Sequence, residues 1–241
     1  MKTIFNRIIL IILLITNFYS NSNANFSDNT LTKAAQAYNN GEFEYSANIY
    51  RNLYDNGYFS YELFYNLGNA YFKINKIGLS ILFYEKAFLI NPSDADLKYN
   101  LELARTKIID KPQEIKKSWL LQTWSKFKYI FNAKIWGILS ISFFLLFFTS
   151  IALFLLSKSS LYKKIFFYFG IILIVVTITS LLISREQYKQ LTDNNFAIIM
   201  VPTVTIKSSP DSNSVNLFVV HEGTKVKISD NISDWVEVRL S

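Results

Sequence analysis

The chain has 241 residues, of which 51% are hydrophobic and 17% aromatic, and its mean hydropathy is +0.19. Because so much apolar surface is hard to bury in a soluble protein of this size, membrane-spanning segments are expected. The formal net charge is +7, and eight basic side chains against two acidic ones lie within residues 105–134. Basic residues beside an apolar run favour lipid head groups over nucleic acid as their partner.

The N-terminus has the pattern of a secretory signal peptide. Lys2 and Arg7 precede the apolar run IILIILLI at residues 8–15, which is too short to cross a bilayer. Ser22-Asn23-Ala24 then supplies the small residues that a signal peptidase reads. We predict a signal peptide over 1–24, with an uncleaved anchor as the alternative, and in both cases the following chain is exported.

A 34-residue period follows the signal peptide. Residues that match at this offset include Ala34 with Gly68, Tyr38 with Phe72, Ser46 with Ser80, Tyr50 with Tyr84, and Tyr65-Asn66-Leu67 with Tyr99-Asn100-Leu101. Small residues at fixed points of such a period resemble the tetratricopeptide family of helix–turn–helix repeats. The resemblance implies a short helical solenoid over 27–109, with units at about 27–60 and 61–94 and a capping helix over 95–108.

The second unit carries the pattern most fully. Small residues are expected where its two helices approach closely, aromatic residues beside them, and a proline at the end of the unit. The residues assigned to these structural roles are Gly68, Tyr71, Ser80, Tyr84, Ala87 and Pro92.

The first helix of that unit is expected to present a binding face. The side chains predicted to line the concave surface are Tyr65, Asn66, Asn69, Phe72 and Lys73, with Asn100 from the capping helix. Aromatic, amide and cationic groups together suit an extended peptide or a partner helix, whereas the alternative is that Tyr65 and Phe72 only complete the core. Such arrays usually need about three units for stability. We therefore expect this one either to be marginally stable alone or to be completed by another protein or by the membrane-surface helix.

Residues 110–134 are predicted to form a basic linker with an amphipathic helix at the membrane surface. Leu120, Trp124, Phe127 and Phe131 recur at helical spacing, with polar and lysine residues between them. The alternative is a soluble helix docked on the preceding domain.

Two uncharged apolar runs, 135–156 and 165–184, are each long enough to span a bilayer. The lysine-bearing loop at 157–164 and the export signal together predict a cytoplasmic loop, with the soluble parts on the periplasmic side of a bacterial inner membrane. Because neither run contains an ionisable residue, a transporter subunit is disfavoured.

Residues 196–241 alternate in the manner of short β-strands, in the string VTIKSSPDSNSVNLFVVHEGTKVKI followed by DWVEVRL. This string resembles a bacterial SH3-like domain. Members of that family normally close with a further Gly-Trp strand, which does not follow here, so we expect either a truncated sequence or a small barrel with an open edge. The resemblance implies cell-wall peptides as the ligand.

The chemistry of an enzyme is missing from the sequence, because His221 is the single histidine and there is no cysteine and no glycine-rich phosphate loop. We predict no catalytic residue, no metal and no cofactor. The order of segments resembles the Bacteroides aerotolerance (Bat) family, in its BatE-like tetratricopeptide branch. That resemblance implies a role beside other Bat-type membrane proteins in envelope integrity or oxidative-stress tolerance. We therefore expect a mainly α, membrane-anchored periplasmic scaffold for protein partners, and not nucleic acid. The alternative is a peptidoglycan tether or sensor.

Overall fold

The computed structural model describes residues 24–110, 118–192 and 195–240, with the side chains of 24–28 excepted. The predicted signal peptide therefore lies outside the described residues, apart from Ala24. The chain is mainly helical with a small C-terminal sheet region, as the sequence predicts. It divides into two compact units between Tyr58 and Phe59.

The first unit contains helices α1 (Ala24–Asn39) and α2 (Phe43–Asp55), which pack on each other. Between them Gly41 adopts φ +83°, a left-handed conformation that suits glycine. The buried Ser46 hydroxyl donates to the Ala34 carbonyl oxygen at 2.8 Å, which ties the two helices together at a point where both side chains are small.

The second unit begins with helices α3 (Tyr61–Lys73), α4 (Ile77–Ile90) and α5 (Ala95–Arg105). Ser80 donates to the Gly68 carbonyl oxygen at 2.9 Å, which reproduces the Ser46 bond 34 residues later in the chain. Asn75, at φ +60°, likewise occupies the turn position of Gly41. The 34-residue sequence period is therefore also a period of backbone geometry and hydrogen bonding.

The helix starts repeat in the same way. Ser60 caps α3 by accepting from the Leu63 amide at 3.0 Å, and Asp94 caps α5 by accepting from the Leu97 amide at 2.8 Å. A side-chain oxygen at this position satisfies an amide that has no partner within its helix. The core between the three helices comprises Leu63, Phe64, Leu67, Ala70, Tyr71, Ile81, Phe83, Tyr84, Ala87, Leu97, Leu101 and Ala104.

The next three helices are α6 (Trp119–Lys128), α7 (Ala133–Leu156) and α8 (Ser160–Thr192). By length and composition, α7 and α8 are both able to cross a membrane. They pack on each other through a hydroxyl-rich seam, in which Ser140 donates to the Thr177 carbonyl, Ser150 to that of Phe166 and Ser184 to that of Ala133.

The helix bounds differ from the predicted spans at both ends of α8. The helix begins at Ser160, inside the predicted 157–164 loop, and continues past residue 184 to Thr192. The added residues include Arg185, Glu186 and Lys189, which are good helix formers but end an apolar run, so hydropathy could not show the extension.

Helix α6 is tied to the open end of this hairpin. The Lys128 carbonyl oxygen at its C-terminus accepts from Trp136 Nε1 at 2.9 Å and from Gln187 Nε2 at 2.6 Å. The predicted four-residue stripe is wrong at Phe131, because α6 ends at Lys128 and the Phe131 ring instead packs edge-on against Trp136. Exposed apolar side chains occur along the whole of α6, in Trp119, Leu120, Leu121, Trp124 and Phe127.

The C-terminal β domain follows α8. Its strands β1 (Phe196–Ile198), β4 (Lys225–Ile232) and β5 (Trp235–Leu240) form an antiparallel sheet in the order β1-β4-β5. Strands β2 (Thr203–Lys207) and β3 (Asn216–His221) form a separate antiparallel pair. These five strands lie within the region 196–241 that the sequence predicts to form short β-strands, and the domain buries Val220 and Val226.

Candidate functional site

Three of the six predicted binding residues, Tyr65 and Asn69 of α3 and Asn100 of α5, come together in one hydrogen-bonded cluster with Tyr84 of α4. Tyr84 Oη donates to Asn69 Oδ1 at 2.6 Å, and Asn100 Nδ2 donates both to Asn69 Oδ1 and to Tyr65 Oη, each at 3.1 Å. All four side chains are buried or half-buried. The cluster fixes two amide and two phenol groups in place between α3, α4 and α5.

The remaining predicted residues extend this face along α3. Asn66 and Phe72 are half-buried, and Lys73 is exposed at the end of the helix. Tyr65 is held against the core, with its ring 6.2 Å from that of Tyr84, so the alternative of a packing role applies to it in part. Both roles are compatible, because a half-buried tyrosine can pack on one side and contact a ligand on the other.

The predicted structural residues occupy the positions that close packing requires. A Cβ atom at Gly68 would lie 2.5 Å from Cδ1 of Tyr84, closer than any ordinary carbon–carbon contact. Ser80 and Ala87 are fully buried, and Tyr71 and Pro92 are buried beside them.

The edge of the cluster carries an ionisable pair. Tyr61 stacks on Tyr65 with ring centroids 5.9 Å apart, and its hydroxyl is hydrogen-bonded to Asp94. The hydrogen bond from the Leu97 amide lowers the pKa of Asp94 despite its partial burial, and the Tyr61 bond lowers it further. Burial, reinforced by Asp94, raises the pKa of Tyr61. Asp94 is therefore held ionised beside a neutral phenol.

A second cluster joins the helices to the β domain through Asp110. One carboxylate oxygen of Asp110 accepts from the His221 amide at 2.6 Å and from Thr224 Oγ1 at 2.8 Å, and the other lies 2.8 Å from His221 Nδ1. Burial alone would raise the pKa of Asp110, but the hydrogen bonds from His221 and Thr224 outweigh it and hold that pKa below its usual value.

Helix α4 contributes two more contacts to this junction. The buried Glu85 carboxylate pairs with Arg105 from α5 and with Lys225 Nζ from β4 at 2.7 Å. The Gly78 amide, in the first turn of α4, donates to Glu222 Oε1 at 3.1 Å.

Sequence reasoning did not predict the junction of α4 with the β domain. Its paired residues are more than 100 positions apart in the chain, as with Gly78 and Glu222. One sign was present, however. The sequence of α4, IGLSILFYEKAFLI, is apolar around most of its circumference, which is typical of a helix that is covered on several sides.

Within the described ranges, no group of three or more His, Asp or Glu side chains is placed to hold a metal ion. Comparison with protein-family models, with curated proteins and with solved structures finds no match to the chain. The function is therefore argued from the two clusters and the apolar helices alone.

Proposed function

We propose that this chain is a membrane-anchored scaffold, in which tetratricopeptide-like helices bind a protein partner through the Tyr65–Asn69–Asn100 face. The observation that carries the proposal is the hydrogen-bonded cluster itself, which positions amide and phenol groups of α3 and α5 along one face. Preorganised groups of this kind bind with less loss of conformational entropy than mobile ones. The resemblance to the Bat family makes other Bat-type membrane proteins the candidate partners.

We further propose that the chain lies in a bacterial inner membrane with its soluble parts in the periplasm. Two apolar helices, α7 and α8, are long enough to span it. Asp110 precedes both helices and His221 follows both, yet the two side chains lie 2.8 Å apart. This contact supports a single side for both soluble parts, and the predicted signal peptide and the lysine residues near the α7–α8 turn favour the periplasm.

Single cysteines test this topology cleanly because the natural chain has none. Asn29→Cys, Ser160→Cys and Asn213→Cys each place a thiol at an exposed position. An impermeant thiol reagent applied to intact spheroplasts should label the first and third variants and spare the second until the membrane is permeabilised. Labelling of Ser160→Cys alone would contradict the proposed orientation and indicate the opposite one. Unequal labelling of Asn29→Cys and Asn213→Cys would contradict the placement of both soluble parts on one side of the membrane.

The partner face is tested by photo-crosslinking in the native membrane from positions 69 and 73. The matched control is Lys98, an exposed residue two positions before Asn100 and thus about 200° away around α5. We expect a discrete protein adduct from 69 and 73 that is absent from 98 and is lost in Asn100→Leu. The same adducts from all three positions, or none from the face, would refute the proposed partner site.

A peptidoglycan tether is the second candidate, because β3 leaves Leu217, Phe218 and Val219 substantially exposed. Sedimentation of the purified chain with isolated sacculi tests it. Retention that is lost in Leu217→Ser and Val219→Ser would favour the tether over the partner scaffold, and an unretained chain would exclude it.

A further inference from the structure

The β domain is attached where the repeat register expects another helix to start. Helices α2 and α4 begin at residues 43 and 77, which places a third such start at residue 111. Asp110 thus holds the register position of Glu42 and Lys76, the residues immediately before α2 and α4. At Asp110 the chain binds the turn from His221 to Thr224 through three hydrogen-bond contacts.

One face of α4 matches this turn residue by residue. Gly78, Ile81 and Glu85 share a face, since they are spaced by three and four positions. They contact Glu222, Gly223 and Lys225 respectively, in the same order along both segments of the chain. A surface that pairs charge with charge, glycine with isoleucine and amide with carboxylate over several positions is a specific interface and not a chance contact.

The contact also supplies what the helices lack. Lys76 provides no side-chain cap for α4, and Glu222 accepts from the Gly78 amide in its place. Gly223 lies against Ile81 and Ile108, which are both buried. Any side chain at 223 would collide with Ile108 and would be strained at φ +87°, so glycine is required there on two grounds.

We propose that the β domain is the closing cap of the helical array, an intramolecular partner that covers α4 where a further repeat helix would begin. The α4 face and the turn at 221–224 therefore act as one body and not as two independent binding modules. The inference goes beyond the proposed function and does not rest on it. The Tyr65–Asn69–Asn100 face and the exposed β3 residues lie outside this contact.

The test uses the full chain in detergent micelles and a buried reporter thiol under the cap. Ile81→Cys reports exposure of the covered α4 face, and Ala70→Cys, fully buried in α3, reports opening of the helical core. We expect Asp110→Ala to accelerate labelling of the thiol at position 81 by about tenfold or more, because hydrogen bonds to a charged group are lost. Labelling at position 70 should change by less.

Asp234→Ala is the matched control, since Asp234 is an exposed aspartate of the same domain outside the interface. It should leave the labelling rate at position 81 unchanged. If the Asp110→Ala chain is labelled at position 70 as fast as a denatured chain, Thr224→Val is used in place of Asp110→Ala. Thr224→Val removes a single hydrogen bond to Asp110 and should accelerate labelling at position 81 several-fold. Equal rates at position 81 in the natural background and in both interface variants would overturn the proposal, as would equal acceleration by Asp234→Ala.

Discussion

Replacing Gly68 by alanine should loosen the helical array, although alanine is the better helix former. The added methyl would lie 2.5 and 2.6 Å from Cδ1 and Cε1 of Tyr84, whereas carbon atoms in contact prefer about 3.5–4.0 Å. The Tyr84 ring would have to withdraw by about 1 Å. It has little freedom to do so, because it is 2% exposed and its hydroxyl is bonded to Asn69 at 2.6 Å.

The magnitude follows from three opposing contributions. Overpacking of a core costs about 1–3 kcal/mol, and loss of the Tyr84–Asn69 hydrogen bond about 1 kcal/mol more. Replacing a mid-helix glycine by alanine returns about 1 kcal/mol. We therefore expect Gly68→Ala to lower the free energy of opening of the helical core by about 2 kcal/mol, or about 30-fold in an opening equilibrium.

Thiol labelling of Ala70→Cys, in otherwise natural and in Gly68→Ala chains, measures this change directly. The partner variant is Tyr84→Val, which removes the ring atoms that the methyl would strike. In that background Gly68→Ala should slow labelling or leave it unchanged, because only the gain in helix propensity remains. A Gly68→Ala chain that labels no faster than its parent, or an equal penalty in the Tyr84→Val background, would refute the close-packing explanation.

Two further predictions concern the hairpin and the α5 cap. In the described part of the chain, the buried Ser180 hydroxyl has no hydrogen-bond partner. Ser180→Ala should therefore leave the midpoint of thermal unfolding in micelles unchanged or raise it. Ser140→Ala should instead lower the free energy of unfolding by about 0.6 kcal/mol, because its hydrogen bond to the Thr177 carbonyl is lost. A lower midpoint for Ser180→Ala than for Ser140→Ala would contradict this account of the seam. Asp94→Ala should cost about 1 kcal/mol at neutral pH. The pKa of Asp94 is lowered by folding, so its contribution is present above the ordinary aspartate pKa and is lost as pH falls through the lowered value. The difference in urea midpoint between Asp94→Ala and the natural chain should thus vanish at low pH, while a difference that persists there would exclude the carboxylate as its source.

The helical repeat was predictable because its constraints are local. Ser46 and Ser80 each bond to a carbonyl 12 residues earlier, so a sequence offset of 34 carries the whole pattern. The same locality explains the caps at Ser60 and Asp94. Close packing at Gly68 could be inferred in the same way, because a glycine in the middle of a repeat helix is best explained by the close approach of a neighbouring helix.

The end of α8 and the contacts of α6 could not be predicted in this way. Residues 185–192 are polar, so hydropathy ended the span at 184 while helix propensity carried the helix onward. The bond from Gln187 to the Lys128 carbonyl joins residues 59 positions apart. The spacing of apolar residues within one helix contains no information about a hydrogen-bond partner so distant in the sequence.

The junction of Asp110 with His221 places a constraint on topology that the charge pattern alone did not. Lysines flank both apolar runs, so their local balance leaves the orientation undetermined. The contact, however, joins the chain before α7 to the chain after α8. A single crossing would separate Asp110 from His221 by the thickness of a bilayer, about 30 Å, and break every hydrogen bond between them. Either both helices cross or neither does, and their apolar lengths favour two crossings.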